Sequence, residues 1–411
     1  MTPSPHQLSS VRWSAIFPWL ILVRAARVSL MVRVIILALL GVAATHGGWR
    51  LIDSTLQGSQ SLQSLERAPQ ISIPLMPERH EPPTTFNEPV IVSARMTTGA
   101  FLSAWHWLGR PFGLLALRPT LQESVTLALA GVWSVAVWAL FGGAIARIAA
   151  VYLTYGETLG PIAAIRAAAR TWLAAIGAIG FVALAMLVVA LPLVIAGALL
   201  RFDLMVLLMG MAWIVALLCG AIVAILAVGL AFGWPLMWAT SAVERTDAFD
   251  AISRGFAYLF QRPLQLLFYV FVASLIGVLA QVAVSAAVTA TTTATHWCVA
   301  LGAGQGRTSD LGFDHQGVSD DVDSVGEIGA GGIEFWTSVA QGASSYFPLA
   351  FFWPAVTAIY LLLRREIDGT EMTEVVFDEG ESFRGLKPLT PTASGVPQIE
   401  GSAAAPAPPS K

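Results

Sequence analysis

Residues 204–243 form a stretch of forty residues without a charge, and this stretch is the feature that most restricts the fold. As a single helix it would measure about 60 Å, at about 1.5 Å per residue. That is twice the roughly 30 Å hydrocarbon core of a lipid bilayer. Only 12% of the chain is charged, which is about half the share found in soluble domains. The sequence therefore predicts an all-α integral membrane protein.

Apolar segments of spanning length occur six times along the chain. Each predicts one transmembrane helix of about 20 residues or more, although the first is short. The six segments are residues 29–44, 124–146, 172–200, 204–243, 264–295 and 346–363. Trp234 and Trp238, on either side of Pro235, are expected at the membrane–water interface.

The six helices divide the chain into seven regions. Residues 1–45 hold the N-terminus and the first helix, and residues 346–365 hold the last helix. The Pro-rich region 46–118 is expected to be an extracytoplasmic loop with an aromatic interfacial segment at 101–108. The remaining regions are two helical units at 119–203 and 204–295, an acidic Gly-rich extracytoplasmic loop at 296–345, and a tail at 366–411 whose Pro- and Ala-rich end predicts disorder.

Arginines beside the apolar segments indicate the orientation, because the cytoplasmic flanks of membrane helices are enriched in basic residues. Four groups fall on one side if the chain crosses six times: Arg12, Arg24, Arg27 and Arg33; Arg147, Arg166 and Arg170; Arg245, Arg254 and Arg262; Arg364 and Arg365. Region 46–118 also holds arginines, but long loops cross largely regardless of charge. The pattern predicts both termini in the cytoplasm.

An amphipathic helix is predicted between the fourth and fifth apolar segments. Thr246 or Asp247 can cap its N-terminus, and Asp250 can pair with Arg254 one turn later. Its apolar residues recur at helical spacing: Phe249, Ile252, Phe256, Leu259 and Phe260. Such a helix is expected to lie in the cytoplasmic interface.

A fainter copy of this element occurs 87 residues earlier. Pro161 is suited to a first helical turn, and apolar residues again recur at helical spacing: Ile162, Ile165, Ala169 and Trp172. The sequence therefore predicts two tandem units, each made of a helix, an inner amphipathic helix and another helix. This gives two amphipathic helices on the cytoplasmic side.

Two stretches carry a resemblance to a known family. Residues 244–260 read ERTDAFDAISRGFAYLF, and residues 358–371 read AIYLLLRREIDGTE. They resemble bacterial multi-pass proteins such as the membrane domain of glycerophosphoryl diester phosphodiesterases, in which an inner amphipathic helix precedes the next span. At the level of pattern the resemblance covers residues 120–372. The resemblance implies the membrane fold of those proteins and a location in a bacterial inner membrane. The catalytic domain of those enzymes has no counterpart here, so their activity is not implied.

Chemical motifs are missing from the sequence. It contains no Ser/His/Asp set, HExxH, paired histidines or P-loop, so no catalytic residue, metal ligand or cofactor is predicted. An acidic group at Asp320, Asp321, Asp323 and Glu327 departs from the EF-hand spacing and is interpreted as a solvated loop. No basic block predicts nucleic-acid binding.

Membrane lipids and other membrane proteins are the expected partners. Arg147 is interpreted either as a lipid-headgroup contact or as an arginine that sets topology. The other predicted contact residues lie on the second amphipathic helix: Phe249, Ile252, Arg254 and Phe256. Gly229 and Gly233 form a GxxxG pair that favours close helix packing, within the chain or between copies.

Two functions follow from these features. The first is a non-enzymatic membrane component that organises lipid or partner proteins. The alternative is a permease-type subunit for an apolar or lipid-like substrate, with polar residues of the fifth span facing a central path. The residues available for such a path are Gln281, Ser285, Thr289 and Thr291 to Thr293. An intramembrane hydrolase ranks third.

Overall fold

The computed structural model describes residues 17–56, 99–115, 120–311 and 323–370, together with two short strands in the tail. Residues 17–370 of this described part are helical apart from short connections, as predicted. A 3₁₀ turn, Pro18–Leu20, precedes the first helix. The helices are α1 (Ile21–Ser29), α2 (Val32–Leu56), α3 (Ala100–Leu115), α4 (Leu121–Tyr155), α5 (Pro161–Leu199), α6 (Asp203–Glu244), α7 (Ala248–Gln261), α8 (Pro263–Ala303), α9 (Gln305–Asp310), α10 (Ser324–Ser345) and α11 (Phe347–Ile367).

Within the described residues, six helical segments are long and apolar enough to cross a membrane. They are α2, α4, α5, α6, α8 and the pair α10–α11, which meet at Tyr346. All six predicted apolar segments therefore correspond to helices. The helices extend beyond the predicted bounds, and Pro235 lies inside α6 without ending it.

Helix α11 forms the centre of the bundle. Every residue from Phe347 to Arg364 is buried, and the helix packs against α1, α2, α3, α4, α6 and α8. A helix that is apolar on all sides is suited to such a position. In contrast, only 6% of the most apolar stretch of α6 is buried, against 94% for the stretch that includes α11.

The first predicted span ends too early. Helix α2 continues to Leu56 because residues beyond 45 pack against α4. The Trp49 indole nitrogen donates to Ser134 Oγ at 3.1 Å and lies 3.2 Å from the carbonyl of Ala130. The predicted boundary at residue 45 therefore lies inside a helix that buries a tryptophan.

The aromatic segment at 101–108 also differs from its prediction as an interfacial loop. It belongs to α3, in which Phe101 and Trp107 are fully buried. Phe101 contacts Phe352 of α11, with ring centroids 5.1 Å apart. Aromatic residues of this kind occur both at membrane interfaces and in protein cores. Here the segment lies in the core because it packs against α11. Most of the predicted loop, residues 57–98 and 116–118, lies outside the described residues.

A stack of three indoles lies where α4, α6 and α11 meet. Trp353 lies between Trp138 and Trp238, with centroid distances of 6.0 and 5.4 Å and interplanar angles of 17° and 14°. Trp238 and the half-buried Trp234 were predicted at the membrane–water interface. The structure packs both against the rings of α11, and their position at the interface stays a prediction. Offset stacking of this kind adds to the energy of simple burial.

The first predicted amphipathic helix is not a separate element. Residues Ile162 to Trp172 form the beginning of α5, which continues without a break to Leu199. In the second unit, α7 ends at Gln261, and α8 begins at Pro263. The corresponding positions of the first unit, 87 residues earlier, hold Ala175 and Ile176, and neither residue interrupts a helix as a proline does.

The region 296–345, predicted as a loop, is mostly helical. Helix α8 continues to Ala303, α9 follows, and α10 covers Ser324–Ser345. Asp323 caps α10 by accepting from the backbone N–H of Gly326 at 3.0 Å. The glycines and acids of this region suggested a loop, but the cap and apolar residues such as Ile328 and Phe335 support a helix. Asp320 and Asp321 lie outside the described residues.

The C-terminal unit, residues 376–411, is separate from the helical unit. Its described part is an antiparallel pair of strands, β1 (Leu389–Pro391) and β2 (Pro397–Ile399), with Thr390 opposite Gln398. The predicted disorder of the tail is therefore wrong for these six residues, whose Leu389, Thr390 and Ile399 suit an extended backbone. The rest of that prediction falls outside the described residues.

Candidate functional site

The candidate site lies at one end of the bundle, where the chain turns from α6 into α7. Arg245 adopts a left-handed conformation, with φ of 58°, and ends α6. Asp247 then caps α7, because its carboxylate accepts from the backbone N–H of Asp250 at 3.0 Å. This confirms the predicted cap, and the predicted ion pair between Asp250 and Arg254 is also present at 3.2 Å.

Small residues form the buried face of α7. Ala248, Ala251 and Gly255 are buried together with Tyr258 and Leu259. The predicted face of large apolar residues is thus only partly correct, because the closest helix packing requires the short side chains.

Gly229 and Gly233 lie on the part of α6 that receives α7. Both glycines are buried. A Cβ at Gly229 would lie 2.2 Å from the Phe256 ring, and one at Gly233 would lie 3.6 Å from the carbonyl oxygen of Gly255. The GxxxG pair is therefore in contact with α7 of the same chain.

Replacing Gly229 by alanine should destabilise the protein by about 1–3 kcal/mol, because the added methyl displaces Phe256 from its packed position. The matched control is Gly220→Ala in the same helix, where nothing lies within 4 Å of the new Cβ. Unfolding of both variants in mixed detergent–SDS micelles measures the difference. Equal stability of the two variants would contradict the contact.

Glu244 is the centre of a charged network at the end of α6. Its side chain is only 8% exposed and pairs with Arg254 of α7 at 2.7 Å and with Arg364 of α11 at 2.8 Å. Tyr360 donates its hydroxyl to the same carboxylate. One acid thus joins three helices, and charge-assisted bonds of this kind are among the strongest polar contacts in proteins.

A second set of contacts extends this network. Arg254 Nη1 lies 3.6 Å from Asp368, which also accepts from the hydroxyl of Tyr258. Burial disfavours the charge of Arg254, but Glu244 and Asp250 outweigh it and raise the pKa of Arg254. Burial, followed by the hydrogen bond to Asp368, raises the pKa of Tyr258. Arg254 is therefore held charged and Tyr258 neutral, as their contacts require.

The network joins the two stretches that carry the family resemblance. Glu244, Arg254 and Tyr258 come from the first, whereas Tyr360, Arg364 and Asp368 come from the second. Sequence analysis placed these charges at the ends of apolar segments and paired Arg254 with Asp250, but it did not connect the two stretches. The available signal was Glu244 itself, an acid directly after a long uncharged run, which needs a basic partner when it is buried.

Arg147 is buried in the bundle, with 1% of its surface exposed. Its Nη1 donates to the carbonyls of Ala242 and Val243, at 3.3 and 3.2 Å, in the last turn of α6. A cation there complements the negative end of the helix. This placement assigns its guanidinium to the end of α6.

The other predicted contact residues differ in accessibility. Phe249 is 64% exposed and stacks on Phe181 of α5 at 4.8 Å. Ile252 and Phe256 are partly buried against the core formed by α5, α6 and α7. Arg254 is held by the charged network. Of the predicted contact residues, Phe249 is therefore the most accessible from outside the protein.

The polar residues predicted for a transport path form a contact between helices. Gln281 Nε2 donates to Ser285 Oγ and to the backbone carbonyl of Ser344, both at 3.1 Å. The hydroxyls of Ser285 and Ser344 are 3.0 Å apart. Thr291 and Thr292 bond to carbonyls of their own helix. These contacts join α8 to the end of α10.

No cluster of three or more His, Cys, Asp or Glu side chains within the described ranges is arranged to hold a metal ion. Comparison with known proteins gives no further identification: no family model, curated protein or solved structure matches the chain.

Proposed function

We propose that this chain is a six-span protein of a bacterial inner membrane that organises lipid or partner proteins without catalysing a reaction. The supporting observation is the apolar surface of α5, α6 and α8. Only 11, 6 and 22% of their most apolar stretches are buried within the chain. Exposed apolar area on this scale requires acyl chains or the helices of another membrane protein.

A groove between α5 and α6 shows the kind of contact expected. It has a volume of about 450 Å³ and is lined by apolar side chains. Pro192 lies inside α5 at this groove. Its lining includes Val188, Leu191 and Ile195 of α5, and Met205 and Leu208 of α6. Such a groove suits an acyl chain.

The proposal includes the predicted topology and the family resemblance. Both termini lie in the cytoplasm, α7 lies at the cytoplasmic interface, and the network around Glu244 faces the cytoplasm. The stretches that resemble phosphodiesterase membrane domains meet in this network, which supports treating them as one structural unit. The contacts of Gln281 and Ser285 between helices favour this function over a permease.

Cysteine accessibility in intact cells tests the topology. Ser253→Cys, Ser319→Cys and Ser394→Cys are made singly in a background without Cys219 and Cys298. A membrane-impermeant thiol reagent should label only the Ser319→Cys variant, because of the three positions only residue 319 lies on the extracytoplasmic side of the membrane. Permeabilised cells, in which all three variants should react, provide the control. Labelling of Ser253→Cys in intact cells would contradict the orientation.

A further inference from the structure

One end of the helical unit carries most of its arginines; we call it the arginine-rich end. It is formed by the ends of α4, α6 and α11 and by the beginnings of α2, α5 and α8. Arg33 donates to the carbonyl of Leu159 at 2.8 Å, and Arg24 donates to that of Tyr152 at 3.2 Å. The network around Glu244 joins the ends of α6 and α11, and Tyr269 of α8 donates its hydroxyl to Glu366 of α11.

The arginines at this end belong to two groups. Those of the first group bind within the protein, such as Arg147 at the end of α6 and Arg254 beside Glu244. Those of the second group are exposed, and within the described residues no hydrogen bond or ion pair is found for their guanidinium groups. These are Arg27 of α1, Arg166 of α5, Arg262 between α7 and α8, and Arg365 of α11.

Acids do not balance the second group. Glu244, Asp250 and Asp368 pair with arginines of the first group. Glu366 accepts from the hydroxyl of Tyr269, and Asp247 caps α7. Glu157, just after the end of α4, is the one further acid in the described residues of this end, so acids remain fewer than arginines. The exposed arginines therefore leave an excess of positive charge at the surface of this end.

Large apolar side chains lie beside these arginines. Leu30, three residues after Arg27, is 51% exposed, and Ile162, four residues before Arg166, is 73% exposed. Leu264, two residues after Arg262, is 81% exposed. Apolar residues one turn or less from a free guanidinium suit the boundary between acyl chains and phosphates.

We propose that the arginine-rich end selects anionic phospholipids, whose headgroups bind Arg27, Arg166, Arg262 and Arg365. This proposal rests on the membrane location given above and adds the class of lipid. Basic residues near an anionic membrane surface each contribute a favourable interaction that salt weakens. The bound arginines, Arg147 and Arg254, do not take part.

Spin-labelled lipids test the proposal with the purified full-length protein in vesicles of phosphatidylcholine. The probes are phosphatidylglycerol and phosphatidylcholine, and the ratio of their relative association constants measures the preference. We expect wild-type protein to favour phosphatidylglycerol roughly fivefold, and 0.5 M salt to lower this ratio. Arg27→Gln/Arg166→Gln should lower it roughly twofold or more.

Two further pairs of substitutions make the test specific. Arg262→Gln/Arg365→Gln should reproduce the loss and provides a second test if the first pair fails to fold. Arg201→Gln/Arg307→Gln removes the same charge outside the arginine-rich end and should leave the ratio unchanged. No preference in wild-type protein, or an equal loss in all three pairs, would overturn the proposal. Resistance of each sample to alkaline extraction tests the membrane location separately.

Discussion

Replacing Glu244 by alanine should lower the free energy of unfolding by about 3–5 kcal/mol, the range for breaking a buried ion pair. The loss leaves Arg364, whose side chain is 9% exposed, without its carboxylate. Arg254 loses the same carboxylate, but its side chain is 32% exposed, so water replaces part of the lost interaction. Unfolding in mixed detergent–SDS micelles, followed by tryptophan fluorescence, measures the change.

Two comparisons separate the ion pair from general effects of the substitution. Glu334→Ala removes an exposed acid from α10 and should change stability by less than about 0.5 kcal/mol. The double variant Glu244→Ala/Arg364→Met should recover part of the loss, because it removes the uncompensated charge as well. A double variant whose loss equals the sum of the single losses would show that the two side chains act independently.

The pattern of apolar segments was sufficient to predict the helical class and the six long helices. Segment 204–243, for example, lies within one residue of α6 at each end. Helix ends were predicted less well where packing extends a helix beyond its apolar core. Trp49 and its bond to Ser134 extend α2 past the polar residues that suggested an end. Such extensions depend on a neighbouring helix, which the local sequence does not specify.

The candidate site could be predicted only in its local parts. The Asp247 cap and the Asp250–Arg254 pair depend on spacings of three and four residues, which the sequence gives directly. The pairing of Glu244 with Arg364 joins residues far apart in the chain. It depends on the central position of α11, which hydropathy alone did not distinguish from that of a lipid-facing helix.

The buried face of α7 illustrates the same limit. Periodicity correctly indicated a helix but placed Phe249 and Phe260 on its apolar face, whereas the structure exposes both side chains. The face in contact with α6 contains Gly255, which approaches Gly233. In a membrane, large apolar residues gain little from facing protein instead of lipid, so close contact between small residues decides the packing. Large residues therefore predict the buried face of a membrane helix poorly.

The stack of three indoles should be sensitive to a single methyl group at Gly142. A Cβ at this position would lie 2.5 Å from the Trp353 ring, whereas one at the adjacent Gly143 would make an ordinary contact of 3.4 Å with Ala168. Trp353 cannot move away easily, because both Trp138 and Trp238 stack on its ring.

Gly142→Ala should therefore lower the free energy of unfolding by about 2–3 kcal/mol, at the upper end of the range for overpacking a core. Gly143→Ala should be neutral or stabilising by up to about 1 kcal/mol, because alanine favours the helix. The near-UV circular dichroism of the stacked indoles should change in the first variant only. If both variants were equally stable and kept the wild-type spectrum, Gly142 would not be the residue that makes room for Trp353, and the packing of α4 against α11 would have to differ from that described.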